Sequence, residues 1–211
     1  MISNIIAHAS MLKLSRTDVK ALKIKDAYSL HRVVYGLFPD IRSESEKKAS
    51  ASSGILFADK GGDFDSRKIL ILSNRSPHLT PQFGEVRVRT VSAEFLSYER
   101  YAFEITVNPC KRNNNTGKII PMTKTEHIQE WFIDRAMHSW GFSTSTHHLE
   151  IIRIGVQTFE KNGQTITHGS ATLKGELTVI DRSRFSSSFT QGIGRGRAFG
   201  FGLLQIVPIN P

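Results

Sequence analysis

Tyr28 and His31 lie three residues apart, with Tyr35 four residues further on. In a helix this spacing places all three side chains along one face. An imidazole with an ordinary pKa of about 6.5 can take a proton from a hydroxyl or return one to a leaving oxygen near neutral pH. A neighbouring phenol can orient or share that proton. The spacing fits a structural histidine on a helix flank equally well, so chemistry requires a substrate to be held beside it.

The means of holding an anion lie near the end of the chain. Residues 192–202, Gly-Ile-Gly-Arg-Gly-Arg-Ala-Phe-Gly-Phe-Gly, contain five glycines in eleven positions. Such a backbone can come close to a ligand and aim several amides at one anion, while Arg195 and Arg197 can bind phosphate in bidentate fashion. Gly194 and Gly196 are the expected points of approach. Arg197 and Phe199 break the dinucleotide pattern GxGxxG, and no GxxxxGK[ST] loop is present, so a nucleotide-using enzyme is disfavoured. Lys111, Arg112, Lys118 and Lys161 extend the positive charge through the second half.

Other candidates carry less. His127 and His138 fall on unrelated sides of a helix, and His147-His148 is expected to open a strand with its two rings on opposite faces. Cys110 is the only cysteine, which rules out an internal disulfide and paired-cysteine zinc sites. No GxSxG or HExxH motif occurs, and no metal or cofactor is expected.

The elements that must position these residues follow from periodicity and breakers. Residues 2–9 read as a strand. Ala27, Leu30, Val33, Val34 and Leu37 recur at helical spacing over 27–38, with Asp26 as N-cap and Pro39 as stop. Residues 42–53 form a loop, 55–58 and 68–73 are paired strands, and Val86 and Val88 mark another. A second cycle starts with a strand over 101–107. It continues with a basic loop over 111–118, a helix over 126–140 capped by Thr125 and stopped by Gly141, and strands 149–159 and 171–180 joined by a loop over 160–170. A short helix over 182–190, the glycine-rich segment and a strand over 203–207 complete it. Two strand-helix-strand-strand-helix-strand cycles predict an α+β protein of two tandem ferredoxin-like (RRM-like) domains with antiparallel sheets, residues 1–95 and 96–211. The second helix of the first cycle has little sequence support.

The 28 Lys+Arg against 19 Asp+Glu give a formal charge of +9, the footprint of a polyanion binder. Nucleic acid is the leading partner. No apolar run is long enough for a membrane span, and the start of the chain has no basic leader, so a cytoplasmic protein with no membrane association is expected.

Three segments together resemble a known family, the repeat-cleaving endoribonucleases of the type I-E Cascade system within the repeat-associated RNA-binding proteins. They are Tyr28-Ser-Leu-His-Arg with Leu37-Phe38-Pro39, Asn108-Pro-Cys-Lys111 with its basic loop, and residues 191–204 around the glycines. The resemblance implies two ferredoxin-like domains that recognise the hairpin of a CRISPR repeat transcript and cut at its 3′ base, with retention of the product in a Cascade-like complex. It also implies that His31 and Tyr28 are catalytic, that Lys111 matches the lysine after Asn-Pro, and that 160–170 corresponds to a hairpin entering the RNA groove, with Lys161 on the stem. This chain has Thr106 where the family often has arginine, and Arg195 and Arg197 where it has proline and lysine. Arginine keeps the charge of lysine but changes its geometry, which bears on the hairpin sequence bound. A non-catalytic RNA-binding subunit of the same superfamily is the alternative.

Overall fold

A computed structural model describes residues 4–39, 41, 52–112, 117, 119–161 and 163–209. Lys118 and most of the expected 42–53 loop lie outside them.

The first sheet contains β1 (Ile5–Ser15), β2 (Ile55–Gly62), β3 (Ser66–Ser73) and β4 (Glu85–Ser92), in the antiparallel order β2-β3-β1-β4. The first strand therefore runs well beyond the expected 2–9. It feeds a short helix absent from the sequence expectation, α1 (Arg16–Ala21), whose N-cap Ser15 and Asp18 form a capping box. Helix α2 (Ala27–Tyr35) follows, capped by Asp26, whose carboxylate accepts from the Ser29 amide at 2.7 Å. Leu30 and Val34 form its buried face. The helix stops at Tyr35, short of the expected 38. Leu37 and Phe38 continue instead in i→i−3 turns and remain buried.

Residues 55–58 of β2 and 69–73 of β3 are largely buried on both faces, which explains their unbroken apolar runs. Ile55, Phe57, Ile69 and Ile71 pack beneath α2 with Leu12 and Leu14. The alternate residues Leu56, Ala58 and Leu72 join the core of the second half. Between β3 and β4 the chain makes only bends and irregular backbone. Pro77 and Pro81 each remove an amide donor and oppose a helix there.

The second sheet contains β5 (Arg100–Val107), β9 (Leu149–Lys161), β10 (Gln164–Val179) and β11 (Gln205–Pro208). Its order is β11-β5-β10, with β9 also paired to β10 and the short β8 (Phe142–Ser143) extending that edge. Helix α3 (Thr125–Arg135) passes into a π turn over Ala136–Trp140 and ends at Gly141, which has φ +80°. A side chain at Gly141 would strike the Asp181 carbonyl and the Phe185 amide at 2.5 Å. Thr125 is the first helical residue and not the cap; Lys124 occupies that position without a side-chain bond. Helix α4 (Arg182–Gln191) is capped by Asp181. Both sheets show the ferredoxin-like strand order, the first without its second helix, and the protein is α+β with tandem units of this type.

Two further expectations need correction. Residues 160–170 are not a loop: β9 and β10 remain paired out to Lys161 opposite Gln164, making one long hairpin. The basic segment after Asn108-Pro109 is also a hairpin, of β6 (Cys110–Arg112) and β7 (Ile119–Pro121). His147 and His148 sit in a 3-10 turn that precedes β9 and do not open the strand.

Candidate active site

A cleft of about 1040 Å³ opens where the first sheet, the β6–β7 hairpin, the β9–β10 hairpin and the glycine-rich segment meet. His31 reaches it from the flank of α2 beside the buried face of Leu30 and Val34, and is half-buried. Its Nδ1 lies 2.8 Å from the carbonyl oxygen of Ala198. A carbonyl can only accept, so Nδ1 donates, and in the neutral ring the lone pair is on Nε2. A backbone atom of the glycine-rich segment thus fixes the tautomer of a histidine 167 residues away in sequence.

Aromatic rings hold the imidazole in place. Tyr35 is the nearest, with centroids 4.0 Å apart, and its hydroxyl is 2.7 Å from that of Ser53. Tyr28 stacks nearly parallel to His31 at 6.1 Å and to Phe159 at 6.3 Å. It supports the ring from outside the cleft lining, whereas Tyr35 lies within it. Phe199 joins both His31 and Phe159.

The five glycines divide into two kinds. A Cβ on Gly192 would meet Leu56 at 2.6 Å, one on Gly196 would meet the Phe201 ring at 2.7 Å, and one on Gly200 would meet Phe57 at 3.1 Å. At Gly202 it would overlap the Ile193 carbonyl. These four let the segment fold on itself and dock against β2. Gly194, with φ +72°, has nothing within 4 Å, and it alone of the five has the open backbone expected for ligand approach. Arg195 is exposed at the cleft, while Arg197 donates to the Gln191 carbonyl at 2.8 Å and so ties the segment to the end of α4.

The remaining basic candidates are more scattered. Lys111 and Arg112 are exposed on the β6–β7 hairpin, whose Cys110, Ile119 and Pro121 wall the cleft, and Arg112 donates to the Gly117 carbonyl at 3.1 Å. Lys161 ends β9 five residues beyond Val156 of the cleft, about 17 Å along the strand. It belongs to the hairpin tip and not to the cleft.

The sequence pattern gave no reason to single out His168. It lines the cleft from β10, stacked on Phe201 at 5.8 Å and beside Phe159 and Phe199. Its Nδ1 is buried without a hydrogen-bond partner, and burial lowers its pKa, so the ring is neutral at pH 7. Had residues 164–170 been recognised as a strand, the alternation of Ile166 and His168 would have marked it. Burial also pushes the Cys110 thiol up, against the smaller opposing effects of Arg195 and Arg135, which leaves it a weak nucleophile. Among the described residues, no three His, Cys, Asp or Glu side chains are grouped to hold a metal ion. No helix of the described residues is long and apolar enough to cross a membrane.

The sequence and the fold are matched by known proteins. The chain is 22% identical over 208 residues to the CRISPR system Cascade subunit CasE of Escherichia coli K12, covering 93% of this chain and 99% of that one. It is 27% identical over 120 residues to the CRISPR-associated endoribonuclease Cse3 of Thermus thermophilus, a match spanning 52% of this chain and 56% of the relative. A solved structure of CRISPR endoribonuclease Cse3 bound to a 19-nucleotide RNA has the same fold, with a TM-score of 0.77 at 19% identity over 96% of this chain and 99% of that one. The family model described as CRISPR associated protein matches residues 8–208. With nearly its whole length accounted for, the chain belongs to the CRISPR-associated protein family.

Proposed function

We propose that this protein is a metal-independent endoribonuclease that binds the stem-loop of CRISPR repeat precursor RNA, cuts at its 3′ base and stays on the product as a subunit of a Cascade-like complex in the cytoplasm. The observation that carries the proposal is the His31 imidazole, oriented by the Ala198 carbonyl within the same cleft as Arg195 and the open backbone of Gly194. A relative named as an endoribonuclease, an RNA-bound neighbour of the same fold and a full-length Cascade relative support it. In this reading residues 1–95 carry the catalytic helix and 96–211 the basic and glycine-rich segments, so the cleft assembles where two domains meet.

The chemistry is a transesterification. A ribose 2′-oxygen attacks its own 3′-phosphorus, the bond from phosphorus to the 5′-oxygen breaks, and the products are a 2′,3′-cyclic phosphate and a 5′-hydroxyl. The proton leaves the 2′-hydroxyl for a base, and another proton reaches the departing 5′-oxygen. Because the nucleophile is already attached, the protein need only align it, move protons and stabilise charge on phosphorus. In its neutral form, with the lone pair on Nε2, His31 suits the first proton transfer, and Tyr28 orients or shares the proton. Arg195 and the Gly194 amide face the phosphate, with Arg197 and Gly196 shaping the loop. Lys111, Arg112, Lys118 and Lys161 contact the stem and its flanks.

The test is incubation with a labelled cognate repeat hairpin in EDTA, followed by end-group analysis. A single cut at the 3′ base with a cyclic phosphate is expected. A gel shift without any cut would leave a binding subunit in place of the nuclease.

A further inference from the structure

We infer that a second, basic cleft in the first half of the chain binds the phosphates of single-stranded RNA flanking the stem-loop, an inference that rests on the RNA-processing function proposed above. This cleft, about 620 Å³, lies between α1 and the turn joining β2 to β3. Arg16, Lys20, Lys23 and Lys25 line it. All four are exposed, and none forms an ion pair with another described residue.

The nearby acids are already engaged. Asp18 closes the capping box with Ser15, and Asp59 holds Arg67 through two bonds. Asp63, which also lines the cleft, accepts from the Ser66 and Asp65 amides and pairs with Lys68 at 3.5 Å. Four cations therefore face one concavity with no compensating charge, an arrangement that a polyanion relieves.

The feature favouring single-stranded RNA over an acidic protein segment is Phe64. Its ring is 79% exposed, and the Arg16 guanidinium lies over it at 4.7 Å. A flat aromatic beside a cationic groove is the arrangement on which unpaired bases stack while phosphates follow the charges. Strand β2 connects this site to the active cleft, with Leu56 lining one and Gly61 the other. Five residues of strand span about 17 Å. At the duplex spacing of about 3.4 Å per nucleotide this is about five nucleotides, fewer if the strand is extended. The separation is too great for one phosphate to touch both clefts and suits a short flank.

The experiment compares a bare repeat stem-loop with the same stem-loop carrying its single-stranded flanks. Both are bound to wild-type protein and to the fourfold variant Arg16→Gln, Lys20→Gln, Lys23→Gln, Lys25→Gln, with circular dichroism confirming that the variant is folded. Wild type should bind the flanked RNA more tightly, and the variant should lose only that gain. Four single-strand phosphate contacts correspond to a salt slope of about 2.8, so the gain should shrink about 50-fold between 50 and 200 mM salt. Phe64→Ala should weaken flanked-RNA binding with an unchanged slope. A variant that matches wild type on flanked RNA, or loses equally on both RNAs, overturns the inference. Wild type that binds the bare stem-loop but gains nothing from the flanks overturns it alone, whereas wild type that binds neither RNA removes the proposed function as well.

Discussion

The contrast between Gly194 and Gly202 separates a glycine with open space around it, which the proposed function assigns to the RNA, from one kept for packing. Alanine at either position must occupy left-handed backbone, at φ +72° and +80° respectively, which costs an L residue about 1–2 kcal/mol. At Gly194 the new methyl meets nothing within 4 Å, so the penalty ends there. At about 2–4 °C per kcal/mol for a chain of this size, the Gly194→Ala melting point should fall by about 2–8 °C. At Gly202 the methyl overlaps the Ile193 carbonyl, a backbone atom that cannot swing aside. Relief of that overlap pulls on two hydrogen bonds, Ile193 N–H to the Gly202 carbonyl at 2.9 Å and Gly202 N–H to the Thr106 carbonyl at 2.8 Å. Losing both adds about 2–6 kcal/mol, and a total of about 3–8 kcal/mol approaches the whole stability of an ordinary domain. Denaturant melts of the two variants, with hairpin affinity measured on each folded protein, check the distinction. Gly194→Ala should stay folded yet bind hairpin RNA more weakly, because in the proposed function its methyl projects where the phosphate approaches. If Gly194→Ala melted as early as Gly202→Ala, or bound RNA as wild type does, the division of the glycines would be wrong.

His31→Ala should slow cleavage by about a hundredfold to ten-thousandfold in a single-turnover assay while hairpin binding changes little; equal losses in both would place His31 in binding and not in chemistry. Arg195→Ala should weaken hairpin binding and lower its salt slope by about 0.7–0.9, whereas Arg197→Ala should also lower the melting point because its bond to the Gln191 carbonyl is lost. His168 has a pKa below its unfolded value because burial disfavours the cation, so the unfolded chain binds the extra proton first. Its effect is absent above about pH 6.5 and destabilises the fold as pH falls from there through the lowered pKa. His168→Phe should therefore lose less melting temperature than wild type between pH 7.5 and pH 5, and parallel losses would assign the acid sensitivity to other groups.

What the sequence displayed was largely what a single element decides. The Leu30 and Val34 stripe, the Asp26 cap and the Gly141 stop all act within one helix, and each stands where its local chemistry requires. Strands over 149–159 and 171–180 are legible, but the outer part of the β9–β10 hairpin reads as a loop because it has little buried face. From Gln164 to Thr167 every residue is exposed or half-exposed, so no alternation of apolar and polar side chains marks a strand. Similarly, the three-residue strands of the β6–β7 hairpin are too short for any period to show.

The site itself was legible as residue types but not as geometry. Tyr28 and His31 are readable as neighbours because one helix turn joins them, yet the ring nearest His31 is Tyr35 and the atom that sets its tautomer belongs to Ala198. An alanine carries no side-chain signal; its contribution is a carbonyl whose position depends on Gly192 and Gly200 fitting against Leu56 and Phe57. The glycine-rich segment thus has two functions that its composition cannot separate. Four of its glycines let it lie against β2, which brings the Ala198 carbonyl to His31, and one leaves the backbone open to the cleft. Helix α2 and the glycine-rich segment are consequently coupled through packing. A change at Leu56 or Phe57 that shifted the loop would disturb the imidazole without touching either His31 or the RNA.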